Sequence, residues 1–310
     1  MKQFAAVLTF AAAAGLSAQS FYNGQPIATT GVTLSSWGGG KIIESKESSL
    51  AGGNALRVET GNLFQGGLIS TASPLNLSAV AGNKNSMLTI GIWVVDFKGA
   101  GGGGGGVRGP VGPVGGEGGG TRGGGGMAVG GGAPVGGGGG SSATATVHMS
   151  RVRMVIKTSD GMLSEAILPV SGAGKWVKVG VPVSMIPGFS KTNKQISSIA
   201  VAGDAPAFFY VGEIAVADDT TPIQGYITSQ DMNIGRGTEV VLSGSAEAGS
   251  SPLEYIWDFS DKDGLQAESM GAAIRHKFRI PGEYKVTLTI RDIYGLKQPW
   301  VGTINVTVNP

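Results

Sequence analysis

A chain of 310 residues, 41% hydrophobic and only 14% charged, has length for about two domains and is too apolar for a disordered polyelectrolyte. Its 23 basic and 21 acidic residues leave a formal net charge of +2, which supplies no field to gather phosphate backbones, so nucleic acid is not an expected partner. Cysteine is absent, which excludes disulfides, thiol nucleophiles and cysteine metal clusters together and leaves stability to packing.

At the N-terminus, Lys2 precedes an apolar run from Phe4 to Leu16 followed by small residues, the pattern of a secretory signal peptide. The run is shorter than the ~20 apolar residues of a spanning helix. Ala18 and Ser20 suit the minus-three and minus-one positions for cleavage before Phe21, and a cut after Ala18 serves nearly as well. Residues 1–20 are therefore set outside the fold. The mature chain is expected to be soluble, without a membrane span, and extracellular or at the cell surface.

Short alternating runs bounded by Gly, Asn, Asp and Pro then follow, and no long helical period appears. In NALRVET, Leu56 and Val58 face one way and Arg57 and Glu59 the other. In MLTIGIWVVDF, Leu88, Ile90, Ile92 and Val94 share a face, which puts Trp93 on the other with Thr89, Val95 and Phe97. Comparable runs continue through VRMVIKT, MLSEAILPV, KWVKVGVPV, ISSIAVAG and FFYVGEIAVA. Many short strands separated by turn signals mean all-β sandwiches or barrels.

Between these runs lies an insert, residues 99–140, in which 26 of 42 residues are glycine. Glycine contributes no side chain to a core and loses the most backbone entropy on ordering. Enlarging a short loop to this length costs only about 2 kcal/mol of closure entropy. Two readings stay open: a disordered surface loop between strands ending at Phe97 and beginning near Ala143, or a segment that self-associates or contacts a matrix.

The turn-formers Asp218 to Pro222 separate the first set of strands from a second, EVVLSGSA, YIWDF, YKVTLTIRD and TINVTV. Within residues 221–310, Tyr255, Trp257, Asp258 and Phe259, then His276 and Phe278, then PGEYKVTLTIRDIYG from Pro281 to Gly295, resemble a PKD domain. The resemblance implies an immunoglobulin-like β-sandwich with Tyr255, Trp257, Phe259, His276 and Tyr284 in its structural core. Ser260 and Lys262 replace the two glycines of the family's usual WDFGDG, which changes a turn and leaves the core.

Residues 21–218 resemble the galactose-binding-like jelly rolls of carbohydrate-binding modules, through GGNALRVET, GNLFQGGLI with PLNLS, KWVKVGVPVSMI and FFYVGEIAVAD. Trp176 is expected in the core. Such domains often close with a strand whose acid helps hold a structural calcium; here Gly212 stands near that position with Glu213 beside it. Trp93 and Phe97 are the candidate ligand-binding residues. For Trp93, stacking on a sugar ring and burial under neighbouring elements both remain open.

The search for chemistry is brief. His148 and His276 lack ligand spacing, no GxSxG elbow occurs, and SGAGKW places Trp176 where a phosphate loop needs Ser or Thr. DFSDKDG cannot be a full EF-hand, because its first and twelfth ligands would be Phe259 and Met270. A looser calcium site from Asp258, Asp261 and Asp263 stays open beside a solvated turn, and no other cofactor is expected. The expectation is a secreted, non-enzymatic binding or adhesion protein whose partners are polysaccharide or other surface or matrix proteins, with the PKD domain as spacer or interaction module. A self-associating structural subunit of the envelope or matrix, and a glycan-degrading enzyme, are the alternatives.

Overall fold

The computed structural model describes residues 19–95, 148–170 and 174–310. The glycine-rich insert, Phe97 and most of the N-terminal apolar stretch lie outside the described residues. Eleven strands span Gln19 to Asp218: β1 (Gln19–Tyr22), β2 (Val32–Trp37), β3 (Lys41–Ser45), β4 (Ala55–Thr60), β5 (Gly66–Asn76), β6 (Ser86–Val94), β7 (Arg151–Thr158), β8 (Leu163–Pro169), β9 (Trp176–Pro182), β10 (Gln195–Gly203) and β11 (Ala207–Asp218). They form two antiparallel sheets. One runs β3-β4-β11-β6-β9, with β1 paired to β11, and the other runs β2-β5-β10-β7-β8. β6 and β7 belong to different sheets.

Period-two burial fixes each strand's register, because a one-residue slip would turn its apolar set to water. Leu56 and Val58, then Leu88, Ile90, Ile92 and Val94, meet Val152, Met154 and Ile156 of the opposite sheet in one core. In β11 the inward residues are Phe209 and Val211, then Ile214 and Val216. That change of parity requires a bulge, and the register shifts at Gly212.

One expectation is corrected here. Residues 19 and 20 are not outside the fold: Gln19 pairs with Val216 and Ser20 with Ala215, which extends the strand that buries Phe21 and Tyr22.

Eight further strands form the second sandwich: β12 (Gln224–Ile227), β13 (Met232–Gly235), β14 (Glu239–Glu247), β15 (Leu253–Asp258), β16 (Ser269–Met270), β17 (Ala273–Lys277), β18 (Gly282–Asp292) and β19 (Trp300–Asn309). A three-stranded sheet, β12-β14-β17, faces a five-stranded one, β13-β19-β18-β15-β16, and only β13 runs parallel to its neighbour β19. Trp257 is wholly buried and its indole N–H donates to Gly271 O at 2.9 Å. Val286, Leu288 and Ile290 fill the same core. Phe259 stacks on His276 with centroids 3.7 Å apart, and Phe278 abuts both rings. The Tyr284 hydroxyl donates to Ile280 O at 2.8 Å, the tyrosine-to-backbone anchor of immunoglobulin-like sandwiches. Tyr255 and Tyr284 pack at the edge of this core, partly buried.

The two sandwiches meet at a polar seam. Asp219 N donates to Asn85 O at 2.8 Å and Gly180 N to Ser250 O at 2.8 Å. Tyr294 packs against the first core, and its hydroxyl donates to Gly180 O at 3.1 Å. No helix among the described residues is long and apolar enough to cross a membrane.

Candidate functional site

The outward face of the six-stranded sheet carries a cross-strand row. Register places Trp176 opposite Trp93, Trp93 opposite Tyr210, Tyr210 opposite Arg57 and Arg57 opposite Ile43. The phase that sends Leu88, Ile90, Ile92 and Val94 inward sends Trp93 outward. Trp93 and Trp176 meet edge to face at 5.8 Å, the geometry aromatic pairs prefer. Phe208 continues the aromatic surface 6.0 Å from Tyr210, and the Arg57 guanidinium lies 4.4 Å from its centroid.

Trp176 is therefore corrected. Val177, Val179 and Val181 turn inward while Trp176 shares the outward phase of Lys178, so it stands half-buried beside Trp93. Its Nε1 is buried without a hydrogen-bond partner, leaving a donor unspent beside the aromatic row. Trp93 is likewise half-buried on this face.

Two glycines shape the surface next to the row. A Cβ on Gly91 would lie 2.7 Å from Leu50 Cδ2, and one on Gly212 would lie 2.6 Å from Leu50 Cβ and 3.0 Å from the Trp176 ring. Leu50 therefore seats in the dimple they leave, on the segment 46–54. The Tyr210 hydroxyl donates to Glu47 of that segment. Burial, then this carboxylate, push the Tyr210 phenol above its usual range. Lys178 pairs with Glu213 at 2.7 Å, while Arg57 and Lys41 share Glu59, at 3.1 Å and 3.8 Å.

Glu213, beside the position expected for a calcium-holding acid, spends its carboxylate on Lys178. In the acidic turn of the second sandwich, Asp258 is committed to backbone amides. Asp258 is 3% exposed, and its carboxylate accepts Ser260 N at 3.0 Å and Gln266 N at 3.1 Å. It closes the turn by capping amides, while Asp261 and Asp263 point to water. Among the described residues no three His, Cys, Asp or Glu side chains converge as a metal site.

Residues 220–308 match the family model of the PKD domain, the resemblance carried by Tyr255–Phe259 and Pro281–Gly295. No curated protein matches the chain. Among solved structures the chain is similar to the PKD domain of the human VPS10 domain-containing receptor SorCS2, at 23% identity over 30% of this chain and 78% of that one, with a TM-score of 0.24. It is also similar to the CBM22-1 and GH10 modules of Clostridium thermocellum endo-1,4-beta-D-xylanase 10B complexed with xylohexaose, at 6% identity, 71% and 33% coverage and a TM-score of 0.34. A third is the extracellular domain of the putative hybrid two component system BT3049 from B. thetaiotaomicron, at 9% identity, 54% and 27% coverage and a TM-score of 0.24. The chain thus spans about a third or less of the second and third of these structures.

Proposed function

We propose that this is an exported, non-catalytic protein that binds uncharged polysaccharide on the outer face of its six-stranded sheet, with the PKD sandwich as spacer or interaction module. The observation that carries the reading is the register that sets the half-buried Trp176 and Trp93 side by side on neighbouring strands, with the buried Tyr210 behind them. Aromatic faces held by a sheet bury the apolar face of a sugar ring at little entropic cost, since the side chains are already ordered. The ion pair of Lys178 with Glu213 beside Trp176 spends that cation within the sheet, which favours hydroxyl-bearing ligands over anionic ones. Glu213 and Glu47 are engaged by Lys178 and Tyr210, which supports binding over hydrolysis. The N-terminal apolar stretch supports export.

A glycan array followed by titration calorimetry tests this. Trp93→Ala and Trp176→Ala should each weaken binding to a bound neutral glycan by about tenfold, the equivalent of about 1.4 kcal/mol, while circular dichroism stays unchanged. Binding retained in both variants, or release of reducing sugar from the polysaccharide, overturns the reading.

A further inference from the structure

The outer face of the other sheet, β2-β5-β10-β7-β8, presents a second aromatic platform. Register aligns Trp37 with Gly66, Gly66 with Ala202, and Ala202 with Arg153. Because Gly66 and Ala202 are small, the indole and the guanidinium meet across the two strands between them. Arg153 Cζ lies 5.7 Å from the Trp37 ring and 4.7 Å from the Phe64 ring, so one guanidinium braces both.

Arg153 and the turn that carries Phe64 are held from behind. Arg153 Nε donates to Glu165 at 3.0 Å and Nη1 to Leu63 O at 3.2 Å, and its side chain is only 14% exposed. Phe64 is 65% exposed yet sits on a locked turn, where Phe64 N donates to Asn62 Oδ1 at 2.9 Å and Gln65 N to Asn62 O at 3.0 Å. Gly38, with φ of +59°, lets that turn approach: a Cβ there would lie 1.8 Å from Phe64 O. Beside the platform opens a cavity of about 230 Å³ lined by Arg153, Val155, Leu163, Ser164, Glu165 and Pro187. Ring faces and an ion pair with no excess charge together suit a hydroxylated, uncharged ligand.

We infer that this face is a second glycan-binding surface, so that one molecule joins two polysaccharide chains on opposite sides of its first sandwich. The inference rests on the glycan reading of the Trp93 face for its ligand class, and it adds a separate site on separate residues.

Calorimetry with cello-, xylo- and mannohexaose, and turbidity with the matching soluble polymers, tests it. The wild-type chain should take up two oligosaccharides per molecule and cross-link the polymer into scattering complexes. Trp37→Ala and Phe64→Ala should each leave one site and abolish cross-linking, and Phe64→Tyr should restore it. Trp93→Ala should leave the other site and also abolish cross-linking. A stoichiometry of one that Trp37→Ala and Phe64→Ala leave unchanged overturns the second surface and leaves the first. Loss confined to Trp37→Ala and Phe64→Ala overturns the Trp93 face and leaves this one. No binding across the panel overturns both.

Discussion

Lys297 Nζ lies 3.0 Å from Asp219 Oδ1, with 7% and 6% of the two side chains exposed. Asp219 also accepts Ser250 N at 2.7 Å and Thr221 N at 3.1 Å, and Lys297 donates to Ala248 O at 2.6 Å. The pair sits at the seam, one partner just after β11 and the other on the loop between β18 and β19. Burial raises the Asp219 carboxyl, but the hydrogen bonds from Lys297 and Ser250 outweigh it and its pKa falls below the usual value. Removing one partner leaves the other charge buried, so Asp219→Ala should cost about 3 to 5 kcal/mol in chemical denaturation. A loss under about 1 kcal/mol would place the pair with solvent-screened surface ion pairs. Because the folded pKa is depressed, this contribution is complete above the unfolded carboxyl's pKa and is lost as pH falls through the folded one.

Trp257→Ala should cost about 3 to 5 kcal/mol, as deletion of a fully buried large aromatic does. The indole is wholly buried and loses its bond to Gly271 O as well. Trp257→Phe keeps much of the volume and should lose less. Equal losses in the two variants would mean the hydrogen bond, rather than packing, governs the site.

Much of this was legible in the sequence because burial has a period of two. The alternations in β4, β6 and β18 name their inward residues before any partner strand is known. The phase of Trp176 is readable too: it alternates with Val177 and matches Lys178, which puts it on the outward face although the resemblance implied a core position. The parity break between Val211 and Ile214 likewise marks the Gly212 bulge within β11. The row from Trp176 to Arg57 was not legible, since it joins strands far apart in the chain and pairing order has no local signature. Nor is it legible that the Asp258 oxygens accept the Ser260 and Gln266 amides, since an acid's presence does not show what its oxygens hold.

His276 should make the second sandwich acid-sensitive. Burial between Phe259 and Phe278 lowers its pKa below the ordinary histidine value of 6.5, and Glu268 opposes that only in part. A depressed histidine favours the folded state while neutral. Stability is therefore complete above about 6.5 and declines as pH falls from there through the folded pKa. Thermal melts of the wild type and His276→Phe from pH 7.5 to about 5 check this, the variant's melting temperature falling less over that range. Parallel declines would assign the acid sensitivity to other groups.

Export should produce a chain that begins at Gln19. Cleavage before Phe21 would remove both Gln19 and Ser20, whose backbones pair with Val216 and Ala215 beside the buried Phe21 and Tyr22. Cleavage after Ala18 keeps the whole of β1. Each lost backbone hydrogen bond is worth about 1 kcal/mol, and in a chain of this size a kcal/mol moves the melting temperature by roughly 2 to 4 °C. The intact mass of the exported protein should therefore correspond to a Gln19 start. A recombinant chain begun at Phe21 should melt a few degrees below one begun at Gln19. An exported protein starting at Phe21, with the two recombinant forms melting together, would make the first half of β1 dispensable and return the boundary to residue 20.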